Sequence, residues 1–402
     1  VPVLANIGVL ASCRDDGGPD AIHAIPDAAL VWRDRDIVWV GPEAGLPQEY
    51  RDERVDARGR LVVPGLIDCH THLAFAGWRA DEIEARMGGR SYQETAAAGG
   101  GIARTVAATR GASSEALVAS CTERLRAMAR LGVTTIEAKS GYGLNLRDEL
   151  RLLEVYDTLR KTQPVRIVST LLAHVVPAEY ASRRAQYVKM VCDELIPTAS
   201  RRGLARYCDV FVEESAFTPE EARTILACAR QNGLGGKLHA DQFGDGGGAA
   251  LAAELGAASA DHLECVSHDG IASLADAGVV AVTLPASALY LGRPVAPART
   301  LIASGVRVAV ATDFNPGTAP TCHLPLAMLL AATLQRMTPA EVLKAVTIHA
   351  AKAIGEASAV GSLEPGKRAD FAVIDARDVA DWVYHFAENR CDSTYIGGVC
   401  VI

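Results

Sequence analysis

Leu66-Ile67-Asp68-Cys69-His70-Thr71-His72 is a short apolar run that ends in two histidines one residue apart. As a β-strand it points alternate side chains the same way, so His70 and His72 share a face at its C-terminal end. Similar runs recur along the chain. Leu66–His70, Val133–Ala138, Val165–Leu172, Cys208–Glu213, Gly236–Ala240, Ala258–His262, Val279–Leu284 and Arg307–Thr312 all read as strands. Helical patterns such as Ser114–Leu131, Pro219–Asn232 and Gly246–Leu255 separate most of them. Thr218 ahead of Pro219 suits an N-cap followed by a first-turn proline. Eight such units predict an α/β fold, a closed (β/α)8 TIM-like barrel, with a doubly wound open sheet as the alternative.

The polar residues fall at the strand ends. His70 and His72 end the first strand and His174 follows the third. His239 ends the fifth, His262 the sixth, and Asp313 follows the eighth. In a barrel of this kind those ends meet on one face, where catalytic groups collect. A lone histidine is more often a hydrogen-bonded core or loop residue. An H-x-H pair together with His239 and Asp313 at matching strand ends points instead to a metal site, since neutral imidazole and carboxylate suit zinc or iron. His23, His268, His323, His349 and His385 have no such placement and read as structural or solvated.

The flanks have a different texture. Ala29-Leu30-Val31-Trp32 and Ile37-Val38-Trp39-Val40 near the start, and Asp370–Asp375 and Ile396–Ile402 near the end, read as short strands between turns. Residues 1–60 and 361–402 are therefore expected to form one small β-sandwich domain beside a barrel spanning 61–360. A core this large is consistent with 402 residues at 49% hydrophobic and 22% charged. The net charge of −8 argues against nucleic acid or an anionic membrane as partner. Ten scattered cysteines without a C-x-x-C pair, and no signal-peptide pattern, read as buried free thiols in a reducing cytoplasm.

Val63-Pro64-Gly65-Leu66-Ile67-Asp68-Cys69-His70-Thr71-His72 resembles the first-strand motif of the amidohydrolase superfamily. Gly361-Ser362-Leu363-Glu364-Pro365-Gly366-Lys367-Arg368-Ala369-Asp370 resembles its return into the small domain. Five further segments narrow the resemblance to the imidazolonepropionase family. They are Phe75–Arg79, Gly99–Ile102, Glu137–Gly143, His239–Gln242 and Ala311–Gly317, spread over nearly the whole chain. The resemblance implies ring opening of 4-imidazolone-5-propanoate to N-formimidoyl-glutamate, and a homodimer. Other cyclic-amide hydrolases or aminohydrolases using the same metal face are the alternative. A catalytically silent relative would lack ligands, and this chain has them.

Binuclear members of the superfamily bridge two ions with a lysine from the fourth strand. Here that strand ends Phe211-Val212-Glu213-Glu214, and Lys139 follows the second strand instead. One divalent or trivalent transition metal per chain, zinc or iron, is therefore expected on His70, His72, His239 and Asp313. Asp313 is expected to serve also as the proton carrier. His262 is expected to hydrogen-bond the nucleophile or the oxyanion, or to be a further ligand. A carboxylate-tailed substrate in an acidic chain needs a local cation, and Arg79, seven residues past His72, offers a bidentate guanidinium. Tyr92 and Tyr142 can add phenol hydrogen bonds. The resemblance places His174, Gln242, Asn315, Gly317 and Thr318 around the substrate ring.

Overall fold

The structure, a computed structural model, describes residues 1–50, 53–89, 94 and 100–402. Strands β1 (Pro2–Ala11), β2 (Ala24–Arg33), β3 (Asp36–Pro42), β4 (Glu53–Asp56) and β5 (Leu61–Pro64) come first. The central strands are β6 (Leu66–Thr71), β7 (Val133–Lys139), β8 (Arg166–Ala173), β9 (Tyr207–Val212), β10 (Gly235–Ala240), β11 (Ser259–His262), β12 (Val280–Thr283) and β13 (Val308–Val310). The last are β14 (Phe371–Ile374), β15 (Cys391–Ile396) and β16 (Val399–Cys400).

Strands β6 to β13 pair in sequence order, all parallel. The two ends of this sheet come together. His72 N donates to Phe314 O at 2.9 Å, and Asp313 N donates to His70 O at 3.1 Å. The result is a nearly closed (β/α)8 barrel, and the open-sheet alternative falls. Each of the eight strands expected from the sequence is present, with its ends within two residues. The closure also fixes the chemistry, because it returns Asp313 to the side of His70.

The helices form for local reasons. Thr218 and Glu221 make a reciprocal capping box at the start of Pro219–Gln231. That helix buries Ala222, Ile225, Leu226 and Ala229, spaced to form one stripe. Ser113 caps Ser114–Ala129, which buries Leu117, Cys121, Leu125 and Met128 on the same pattern. Among the described residues, no helix is long and apolar enough to cross a membrane.

The chain ends hydrogen-bond into one continuous sheet, β16-β15-β14-β5-β1-β2-β3, with β4 added on β1. Neighbouring strands lie about 4.8 Å apart, so a flat sheet would hold β2 and β14 about 14 Å apart. Instead the Trp32 ring of β2 stands 5.4 Å from Phe371 of β14 and 5.9 Å from Tyr395 of β15. The sheet therefore curls on itself, and the two layers of the sandwich are its two halves. Strand β5, just past residue 60, belongs to this sheet and leads through Gly65 directly into β6. All ten cysteines are unpaired. Cys13, Cys69, Cys121 and Cys208 are buried, but Cys400 is exposed, a departure from the all-buried expectation.

Candidate active site

The C-terminal ends of β6, β10 and β11 and the turn after β13 bring five side chains to one place. His70, His72, His239, His262 and Asp313 are each at most 3% exposed. One ring nitrogen each from His70, His72 and His239 lie within 4.8 Å of one another, as do ligand atoms of His70, His262 and Asp313. Asp313 Oδ1 stands 3.5 Å from His70 Nε2 and 3.4 Å from His72 Nε2. Yet His70 Nε2, His72 Nδ1 and both ring nitrogens of His239 are buried without a hydrogen-bond partner. Buried polar atoms are nearly always paired. Clustered ring nitrogens of three buried histidines, with the unpartnered His70 Nε2 beside a carboxylate, fit a transition-metal ion.

Electrostatics agree with that fit. Burial alone would raise the Asp313 carboxyl, but His70 and His72 outweigh it and hold the group well below the usual range. Burial, helped by His70 and Lys139, holds His239 well below the ordinary imidazole value, so this ring is neutral. His70 differs. Burial and Lys139 lower it, but Asp261 and Asp313 prevail and push it up to about 9. An ion bound there must displace that proton. Asp313 (φ 55°) and His262 (φ 82°) both hold left-handed backbone. That conformation is uncommon outside glycine and concentrates at functional sites.

His72, His239, His262 and Asp313 open onto a cavity of about 310 Å³, and His70 lies beneath them. Arg79, Tyr142, His174, Gln242, Asn315 and Thr318 also line it. Arg79 is only 8% exposed, with Nε 3.6 Å from Glu82 Oε2, so it is no surface ion pair. A Cβ at Gly317 would fall 1.6 Å from Arg79 Nη2. Glycine at that position is what lets the guanidinium lie against the turn.

Asn315 is fully committed within the same turn. Its Oδ1 accepts from Gly317 N and Thr318 N, both at 2.7 Å, and its Nδ2 donates to Asp313 O at 2.6 Å and Thr318 Oγ1 at 2.8 Å. Thr318 Oγ1 donates to Asp313 Oδ2 at 3.3 Å. Tyr142 rides on a loop held by Glu149, which accepts from Gly141 N, Gly143 N and Leu144 N at 2.7–2.8 Å. The His174 ring stacks on His72 at 5.6 Å, and burial and His72 push its pKa down to about 3, leaving it neutral. Tyr92 lies outside the described residues.

The profile of the amidohydrolase family matches residues 61–401. The imidazolonepropionase of Geobacillus kaustophilus is 49% identical over 372 residues, covering 91% of this chain and 88% of that protein. The imidazolonepropionase of Fusobacterium nucleatum is 44% identical over 407 residues, covering 99% and 98%. The chain belongs to the imidazolonepropionase family of amidohydrolases. Solved structures share its fold at low identity. An adenosine deaminase from Xanthomonas campestris with bound zinc superposes with a TM-score of 0.72 at 18% identity, covering 99% of this chain and 92% of that one. Guanine deaminase from E. coli superposes with a TM-score of 0.72 at 16%, covering 100% and 99%.

This member of the imidazolonepropionase family has site residues that sequence reasoning passed over. Phe211, Val175, Val176, Ile102 and Phe243 form the apolar walls of the cavity. Glu213, which follows Phe211 by two residues, accepts from Gln242 N at 2.9 Å and Phe243 N at 2.8 Å, fixing the loop after β10. Asp209 and Asp261 stand beneath the histidines: Asp261 Oδ2 lies 2.6 Å from His70 Nδ1, and Asp209 Oδ2 lies 3.0 Å from His239 Nδ1. The second contact is close but not aligned as a hydrogen bond. A signal for both existed, since each is a buried-strand carboxylate: Asp209 lies between apolar residues of β9, and Asp261 follows Ser259-Ala260 in β11.

Proposed function

We propose that this chain hydrolyses 4-imidazolone-5-propanoate to N-formimidoyl-L-glutamate, a step of histidine degradation. The observation that carries the reading is the clustering of His70, His72 and His239 ring nitrogens with Asp313 against two of these histidines, at a cavity that also presents Arg79. His70, His72, His239 and Asp313 would hold one divalent or trivalent transition metal, zinc or iron. When bound, such an ion acidifies water and polarises a carbonyl.

The protein's own groups do the rest. Asp313, held ionised by its histidine neighbours, takes a proton from the attacking water and delivers it to the leaving ring nitrogen. The hydroxyl stays on the former lactam carbon, and the ring C–N bond breaks. His262 donates a hydrogen bond to the oxygen on which negative charge develops. Thr318 steadies Asp313 from the opposite side. Arg79 pairs with the propanoate, Tyr142 adds its phenol, and the neutral His174 and the Gln242 amide hydrogen-bond the ring. Gln242 cannot act as a base, so proton transfer rests on Asp313. By the family resemblance the chain works as a homodimer, and its unpaired cysteines fit a reducing cytoplasm.

The test combines elemental analysis of purified protein with assays on imidazolone propionate and on a panel of lactams and aminopurines. One equivalent of zinc or iron and turnover confined to imidazolone propionate is the expected result. Two equivalents per active chain would sink the mononuclear site, and deamination of an aminopurine would move the assignment to another reaction.

A further inference from the structure

Lys139 is fully buried, faces the barrel interior rather than the cavity, and has no part in the mechanism above. Its ammonium has three protons and three carboxylates around it. Nζ stands 2.6 Å from Asp209 Oδ2, 3.3 Å from Asp261 Oδ2 and 3.0 Å from Glu137 Oε2. The first two are the oxygens that face the site histidines. Asp209 Oδ2 lies 3.0 Å from His239 Nδ1, and Asp261 Oδ2 lies 2.6 Å from His70 Nδ1. One ammonium therefore touches both of the carboxylate atoms that lie against two imidazoles carried by different strands, β10 and β6.

The third carboxylate anchors the lysine from below. Glu137 accepts from Lys139 Nζ at 3.1 Å, from Lys237 Nζ at 2.8 Å and from Thr170 Oγ1 at 2.6 Å. Ser259 Oγ holds the other Asp261 oxygen at 2.5 Å, and the His239 backbone N–H holds the other Asp209 oxygen at 3.2 Å. Each carboxylate is thus pinned at both oxygens, and Lys139 is the group the two have in common.

We propose that Lys139 is a positioning residue that fixes His70 and His239 relative to each other through Asp261 and Asp209. This rests on the reading of those histidines as metal ligands. A simple charge argument predicts the opposite sign. An ammonium near a metal ion repels it, so its removal would tighten binding. A clamp predicts weaker binding, because groups that orient metal-ligating histidines are typically worth about ten- to a hundredfold in metal affinity.

The experiment measures release of the native metal from holoenzyme to excess chelator, and the visible spectrum of the cobalt-substituted protein. Wild-type protein that retains no metal refutes the ligand reading itself, separately from the clamp. With wild-type retention established, Lys139→Met is expected to weaken retention about ten- to a hundredfold and to shift the cobalt spectrum. A folded Lys139→Met protein with unchanged or tighter retention and an unchanged spectrum overturns the clamp. Should Lys139→Met not fold, the isosteric variants Asp209→Asn, Asp261→Asn and their double decide. A shared ammonium makes the double's loss differ from the product of the single losses by at least about threefold. A double that equals the product means that each carboxylate serves its own histidine alone, and the clamp is wrong.

Discussion

Two β-lined cores of this chain are built from opposite materials. Beneath the active-site floor the barrel encloses Glu137, Lys139, Asp209, Lys237 and Asp261, all without exposure to solvent. Between the halves of the end sheet lie Trp32, Phe371 and Tyr395, packed with Leu4, Leu10, Leu30 and Val62. The Phe371 and Tyr395 rings stack at 4.4 Å. Buried ion pairs are seldom the most stable way to fill a core, because the desolvation of both charges offsets most of their attraction. Aromatic packing carries no such cost. The barrel core is therefore arranged for what stands above it, and the end-sheet core for holding the two chain termini together.

That contrast breaks first, and most visibly, at Asp313. If the barrel's charges serve chemistry, Asp313→Asn should leave the fold intact while turnover falls about 10²- to 10⁴-fold, the usual worth of a positioned proton carrier. The loss should lie in kcat, with KM less affected. Metal content measured on the same sample separates a lost base from a lost ligand. Near wild-type turnover by a folded, metal-loaded variant would remove Asp313 from the mechanism.

The end sheet should behave in the reverse way. Phe371 is fully buried between Trp32 and Tyr395, so Phe371→Ala should cost about 3–5 kcal/mol of stability. Its folded fraction should keep the wild-type kcat, because no end-sheet strand contributes to the cavity lining. Denaturant unfolding and kinetics of the variant below its transition test both halves. A drop in kcat at full folding would mean that the end sheet shapes the site after all, and the two cores would no longer be separable.

The same contrast explains what the sequence revealed. The barrel strands were legible because each is an apolar run bounded by turns, and its ends carry the polar residues. His70, His72, His239, His262 and Asp313 were legible for the same reason. The curl of the end sheet was not, since it depends on β14 pairing with β5 across some three hundred residues, a register that no local pattern encodes. Nor was the role of Asn315 within its turn. Its type suits a ligand contact, but all four of its hydrogen-bonding positions are spent on Asp313, Gly317 and Thr318. The charged layer was visible as single out-of-place residues such as Asp209 and Lys139. Their partnership was not, because it joins β7, β9 and β11, whose inward faces meet only when the barrel closes.

Arg79 tests the contrast at finer scale, because it brings a buried charge to the cavity wall, where the proposed function gives it a ligand to bind. The chain carries a net charge of −8, so its long-range field does not draw in an anion. Attraction must be local, and Arg79 is placed for it. The Glu82 carboxylate stands 3.6 Å away, and the glycine at 317 leaves room for the guanidinium at the cavity. A charge-assisted pair is worth about 1.5–3 kcal/mol, and more is lost when the partner charge stays buried and unpaired. Arg79→Met should therefore lower kcat/KM for imidazolone propionate about ten- to several-hundredfold, at about 1.4 kcal/mol per factor of ten. Metal content should not change. A neutral amide analogue of the substrate has no charge to pair, so the same substitution should cost it far less. Equal losses for acid and amide would mean that Arg79 supports only the turn at Gly317, and that the carboxylate finds its partner elsewhere on the cavity wall.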